Sequence, residues 1–138
     1  MTTGPGMPVL HLLQVSHPSL AGTNASLAVP VLLRCIEDKD LGVVTAAIRG
    51  LGVLHCEAGI VVPALARRLE DPRTLIRVQA AVSLSYFREQ ALPAVPALRR
   101  ALLDADDIVR YQTTNSLQNI APEMFPPQSS RRRLGSGL

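Results

Sequence analysis

Apolar residues in the central part of the chain fall on a helical period. Val62, Leu65, Ala66 and Leu69 stand at i, i+3, i+4 and i+7, one stripe on a 3.6-residue repeat. After an acidic turn a second stripe follows, Ile76, Ala80, Leu84 and Phe87, matched upstream by Val43, Ala47, Leu51 and Leu54 and downstream by Val109, Leu117 and Ile120. Two short amphipathic helices cannot cover both stripes alone. The pattern therefore predicts an all-α chain in which neighbouring helix pairs bury one another's apolar faces.

The same pattern repeats at a fixed spacing. Pro30, Pro63 and Pro96 are 33 residues apart and divide the chain without gaps into units 25–57, 58–90 and 91–123. Seven of the 33 columns are identical in all three units: Ala25/Ala58/Ala91, Val29/Val62/Val95, Pro30/Pro63/Pro96, Leu32/Leu65/Leu98, Arg34/Arg67/Arg100, Asp38/Asp71/Asp104 and Leu51/Leu84/Leu117. Residue frequencies of about 5–10% would give well under one such column by chance. Stability in such an α-solenoid comes from contacts between adjacent units. Segment 1–24 is expected to carry a partial cap helix over 7–15, with Pro18, Gly22 and Asn24 in its loop. Residues 124–138 are expected to be a flexible basic tail, with Phe125 folding back over the last unit.

The invariant polar columns have local structural explanations. A proline near the start of each first helix costs no hydrogen bond, because first-turn N–H groups lack an intrahelical acceptor. Asp38, Asp71 and Asp104 fall in the turn before the second helix, where a carboxylate accepts orphan N–H groups and meets the positive end of the dipole. Arg34, Arg67 and Arg100 stand in the last turn of the first helix, where a cation complements the negative end.

A Pro, an Asp eight residues on and an Arg six after that, as in Pro63, Asp71, Arg77 and Pro96, Asp104, Arg110, resemble the HEAT repeat. The short unit and its AVPAL opening are similar to HEAT-like repeats of the phycobilisome-lyase type and of many bacterial proteins. The resemblance covers residues 25–123 and implies an alpha-alpha superhelix, a HEAT-like solenoid of three 33-residue two-helix repeats. It also implies a ladder in which the turn aspartate bonds the helix arginine of its own or a neighbouring unit. Unit one departs from this pattern, with Val44 at the arginine position and Gly42 nearby.

Composition narrows the function classes. The 138 residues are 47% hydrophobic, 18% charged and 3% aromatic, the profile of one globular domain, and no apolar run approaches the length of a membrane span. The +3 formal charge is that of Arg131, Arg132 and Arg133, because the chain before them holds eleven basic and eleven acidic residues. Without a basic stripe, without tryptophan and with only Tyr86, Phe87, Tyr111 and Phe125 as aromatics, nucleic acid is not the expected partner. Two cysteines 21 residues apart form neither a disulfide framework nor a zinc motif, and no basic n-region precedes the apolar stretch 7–15, so a reduced cytoplasmic protein is expected.

Catalytic constellations are equally sparse. His55-Cys56-Glu57 gathers three reactive types, but the equivalent triplet in unit two is Arg88-Glu89-Gln90, the mark of a variable inter-unit loop. HEAT-like iron enzymes carry repeated His-Glu dipeptides, and this sequence has none. Gly50-Leu51-Gly52 lacks the third glycine of a phosphate-binding loop. The sequence thus predicts no enzyme, no cofactor and no metal site.

What remains is a surface. If 43, 47, 51 and 54 face the core, the rows Thr45/Val78/Tyr111, Ile48/Ala81/Thr114, Arg49/Val82/Asn115 and Gly52/Ser85/Gln118 face outward on the second helices. The expected binding residues on this concave face are Thr45, Arg49, Val78, Val82, Tyr111, Asn115 and Gln118, with Tyr111 as anchor. The expected function is a non-enzymatic scaffold or adaptor that binds a protein or peptide there and, with weakly polar ends, is able to self-associate. The alternative, implied by the resemblance alone, is an accessory subunit of an enzyme such as a chromophore lyase.

Overall fold

The computed structural model describes residues 18–126, with side-chain environments from Ser26 onward, and is all-helical among them. The expected cap helix 7–15 and the Arg131–Arg133 tail lie outside the described residues. The α-helices are α1 (Pro18–Cys35), α2 (Leu41–Leu54), α3 (Ala58–Arg68), α4 (Thr74–Ser85), α5 (Val95–Ala101) and α6 (Asp107–Ile120), with a 3-10 stretch Arg88–Ala94 leading into α5. None of the described helices is long and apolar enough to cross a membrane. Helix α1 includes Pro18, Gly22 and Asn24, so the loop expected there is instead the start of an 18-residue helix.

Helix α4 packs between α2 and α6, and the two seams use the same chemistry. Ser83 on α4 donates its hydroxyl to the Ile48 carbonyl of α2 over 2.9 Å, and Ser116 on α6 donates to the Ala81 carbonyl of α4. Donor and acceptor are offset by 35 residues in both seams, so α6 repeats on α4 the register that α4 adopts on α2. The approach is close. A Cβ added to Gly52 would lie 2.7 Å from Ser83 Cβ and 2.9 Å from its Cα.

These seams decide which columns are buried. Ile76, Ala80, Leu84, Phe87, Val109 and Leu117 are buried as the periodicity predicts. In α2 the stripe is displaced, with Val43 38% exposed and Val44 fully buried. The reason is positional: the Ile76/Val109 column lies on the Ser83/Ser116 side, toward the preceding second helix, and α2 has no such neighbour among the described residues. Val44 is on the opposite side, toward α4, as Arg77 is toward the following unit. For the same reason Ile48, Ala81 and Gly52 are buried in the seams and do not face outward. Thr113 takes the place of the buried alanines Ala47 and Ala80, and its hydroxyl is fully buried without a partner.

The prolines and aspartates also differ in detail from expectation. Pro96 is in the first turn of α5, but Pro30 and Pro63 lie inside α1 and α3 because those helices begin earlier. Each interior proline leaves the carbonyl four residues before it without its helical donor. All three prolines are exposed, and so are Ser26 and Gly59, whose carbonyls lose the donor and are left open to solvent. The invariant aspartates close a turn two residues wide: Asp38, Asp71 and Asp104 accept the N–H of Asp40, Arg73 and Asp106 at 2.8–2.9 Å. The side-chain caps of α2 and α6 are instead Asp40 and Asp106, and α4 has none.

Asp104 has a second task. Arg77 grips it with both arms of its guanidinium, Nε at 2.8 Å and Nη2 at 3.1 Å, while Nη1 donates to the Asp71 carbonyl at 2.9 Å. Arg110 repeats the last bond on the Asp104 carbonyl. With Val44 in place of an arginine, Asp71 is gripped from its own turn by Arg73, at 2.9 and 3.0 Å, with Arg68 at 3.8 Å. Burial pushes the Asp104 carboxyl up, but the Arg77 hydrogen bond, the Asp106 N–H and the charges of Arg77 and Arg110 outweigh it and hold its pKa below the ordinary value. The Arg73 hydrogen bond does the same for Asp71.

Two stability predictions follow from this packing. Gly52→Ala forces a Cβ onto the Ser83 backbone and should cost about 1–2 kcal/mol net of its helix-propensity gain. Gly59→Ala meets nothing within 4 Å and should stabilise by about 0.5 kcal/mol. Denaturant midpoints for the pair check the sign of each.

Asp104→Asn keeps the acceptor for the Asp106 N–H but loses the charge, and should cost about 1 kcal/mol, against about 2–3 kcal/mol for Asp104→Ala. A carboxyl whose folded pKa is depressed contributes stability that is full above its unfolded value, near pH 4, and lost as pH falls through the folded value. Acid titration of the melting temperature should therefore fall less steeply below about pH 4 in Asp104→Asn than in the native chain.

Candidate interaction surface on the second helices

Helices α2, α4 and α6 place one column of side chains each turn on a common outer side. Of the predicted binding residues, Tyr111 is 63% exposed and Arg49 is exposed, while Thr45, Val78, Val82, Asn115 and Gln118 are half-buried. Thr45 and Thr114 spend their hydroxyls on carbonyls of their own helices, Thr45 on Leu41 at 2.9 Å and Thr114 on Arg110 at 3.0 Å. Tyr111 stands open on its helix. Phe125 is instead half-buried against the core, with the Arg99 guanidinium 5.3 Å from its ring centre.

At the C-terminal ends of these helices the surface opens into a groove of about 740 Å³. Gly52, Ser85 and Phe87 are among its lining residues, with Val53, Tyr86 and Asn119 one position along on the three helices. Phe87 is buried, whereas Val53 and Tyr86 are 66% and 48% exposed. His55, Arg88, Glu89 and Gln90 add polar groups. His55 and Arg88 occupy the same column, 33 residues apart, and both adopt the left-handed backbone that non-glycine residues rarely take, with φ of 35° and 53°. This conformation ends α2, and the His55 N–H bonds the Leu51 carbonyl at 3.0 Å.

Burial, and then the neighbouring Glu57 charge, push the Cys56 thiol up, which disfavours the nucleophilic thiolate. The His55 Nδ1 lies 3.0 Å from the Val53 carbonyl, where a protonated Nδ1 donates. Among the described residues no three His, Cys, Asp or Glu side chains gather as metal ligands. A smaller cavity of about 370 Å³ at the opposite edge is lined by Asp71, Arg77, Arg100 and Asp104, and its Arg77–Asp104 pair is already mutually satisfied.

In the expected row Thr45/Val78/Tyr111 only Tyr111 is exposed, Thr45 and Val78 being half-buried, and the expected stripe stops at the helix ends. Tyr86 and Asn119 were missed because they lie one position beyond the expected stripe. His55 and Arg88 were read as loop, since the shared left-handed turn that brings them to the groove has no glycine to mark it. Comparisons with protein-family models and with curated proteins find no match to this chain.

Proposed function

We propose that the protein is a non-enzymatic interaction scaffold or adaptor, a short HEAT-like solenoid of three 33-residue units that binds a protein or peptide on its second-helix face. The observation that carries this reading is the shared register of Ser83 on Ile48 and Ser116 on Ala81, which lines up equivalent side chains of α2, α4 and α6 into one surface. Tyr111 is its anchor: an exposed aromatic offers a large contact area and loses little rotamer freedom on binding. Free, half-buried Cys35 and Cys56 suit a reducing cytoplasmic setting. Self-association through a solenoid end belongs to this reading, since Arg110 stands in the column from which Arg77 reaches Asp104 of the following unit.

Tyr111→Ala should weaken partner capture about 30-fold, the effect of removing a hot-spot aromatic worth about 2 kcal/mol, and leave the melting temperature unchanged. Affinity capture with mass spectrometry, run in parallel on both proteins, checks it. Equal recovery of the same partners would remove this face from consideration.

A further inference from the structure

The first and last units present faces that match each other. Three apolar columns are closed wherever a unit precedes them: Val61 and Ala94, Leu65 and Leu98, and Ile76 and Val109 are all at most 1% exposed. In unit one the same columns open, with Ala28 and Leu32 half-buried and Val43 38% exposed. Unit three opens on its other side. Leu102 is half-buried where Ile36 and Leu69 are buried, and Leu103 is 86% exposed in the column that carries Glu37 and Glu70 in the earlier units. That column looks toward the following unit, since Glu70 meets Arg100 at 3.6 Å.

Each face also carries one half of an ion pair that the chain builds once inside itself. Arg110 holds the pose of Arg77: its Nη1 donates to the Asp104 and Ala105 carbonyls at 2.7 and 3.2 Å, as Arg77 Nη1 does to those of Asp71 and Pro72 at 2.9 and 3.2 Å. In Arg77 that pose aims Nε and Nη2 at Asp104 of the following unit. Arg110 is exposed, and among the described residues no carboxylate stands in that place. Asp38 holds the turn of Asp104, accepting the Asp40 N–H at 2.8 Å as Asp104 accepts that of Asp106 at 2.9 Å. It is exposed, and among the described residues no guanidinium grips it. Both partners are thus set before they meet, which limits the ordering cost of the pair. Shape agrees as well. Gly52 faces Ser83 in the first seam, and the same register carried onto another copy sets Gln118 against Gly50, so the longer side chain meets the position that has none.

We propose that these two faces join head to tail between copies of this chain, with Arg110 of one copy gripping Asp38 of the next as Arg77 grips Asp104. The occupant is a second copy because the groups that Arg110 and Leu102 call for are an aspartate in a two-residue turn beside uncovered apolar columns, and unit one presents that set. The contact is heterologous: every added copy leaves one face of each kind open, so assemblies lengthen rather than stop at two. This inference names the residues of the end-to-end association in the proposed scaffold and rests on that reading. Capture of another protein at Tyr111 is measured separately on the Asp38→Arg chain, whose change lies two units away, so either result can fail without the other.

Light scattering and sedimentation of the full chain at rising concentration read the contact directly. The average mass should climb past that of two chains, and salt on the order of 0.5 M should lower it. Asp38→Arg and Arg110→Asp should each weaken association at least about 10-fold, because each sets like charges against one another. An equimolar mixture of the two should restore it, since every contact between unlike variants again pairs a carboxylate with a guanidinium. Val43→Gln, at a position the fold already leaves part-exposed, should weaken association while the dilute chain melts as the native one does. A mass of one chain at every concentration, a mass that stops at two chains, unchanged association of Val43→Gln, or a mixture of folded charge variants that associates no better than either alone would each overturn the head-to-tail pair.

Discussion

Successive second helices approach until a serine hydroxyl reaches a backbone carbonyl on its neighbour, and most other features of the structure follow from that distance. The contact is possible because the facing positions are small: Gly52 opposite Ser83, and Ala81 supplying the carbonyl to Ser116. A helix held this close is buried on the side before it, the side after it and the side against its own first helix. Apolar columns therefore fill more of the circumference than one amphipathic stripe. Small aliphatic residues suit this geometry, which accounts for a chain rich in Ala, Val and Leu and containing few aromatics.

The same register sets the polar edge. Placing α4 and α6 in one repeating relation brings Arg77 opposite Asp104, 27 residues away, with side chains only 16% and 11% exposed. Two charges so far from water are tolerated because both guanidinium arms and both carboxylate oxygens are used, and the remaining donor finds the Asp71 carbonyl. Where α2 has Val44, the buried side of the helix is completed by an apolar group and Asp71 takes its cation from Arg73 instead. Removal of an arginine from one position is thus matched by an arginine supplied from the turn.

Much of this was legible because repetition is visible without coordinates. The columns of Pro, Asp and Arg, the two stripes per unit and the break between them all appear as sequence spacing. Which side of a helix a column faces is less legible, as Val43 and Val44 show. Both are valines on adjacent positions, and only the presence of α4 and the lack of a described second helix before α2 distinguish them. The proline positions were misplaced because a helix start depends on where the preceding chain turns, and Pro30 and Pro63 tolerate an interior position only because they are exposed. The groove was hidden for another reason: His55 and Arg88 take a left-handed conformation that their residue types do not announce.

An asymmetry between the two edges connects fold to function. At the turn edge, Asp71 and Asp104 are each paired with an arginine and each hold an N–H of their own turn. At the opposite edge, the second helices carry no basic residue in their last turns, and the surface between Arg88, Glu89 and His55 is indented where Gly52 and Ser85 are small. Satisfied charges hold a structure in register, and unsatisfied ones attract a partner. For the proposed scaffold, recognition is thus left to the faces outside the matched turn edge.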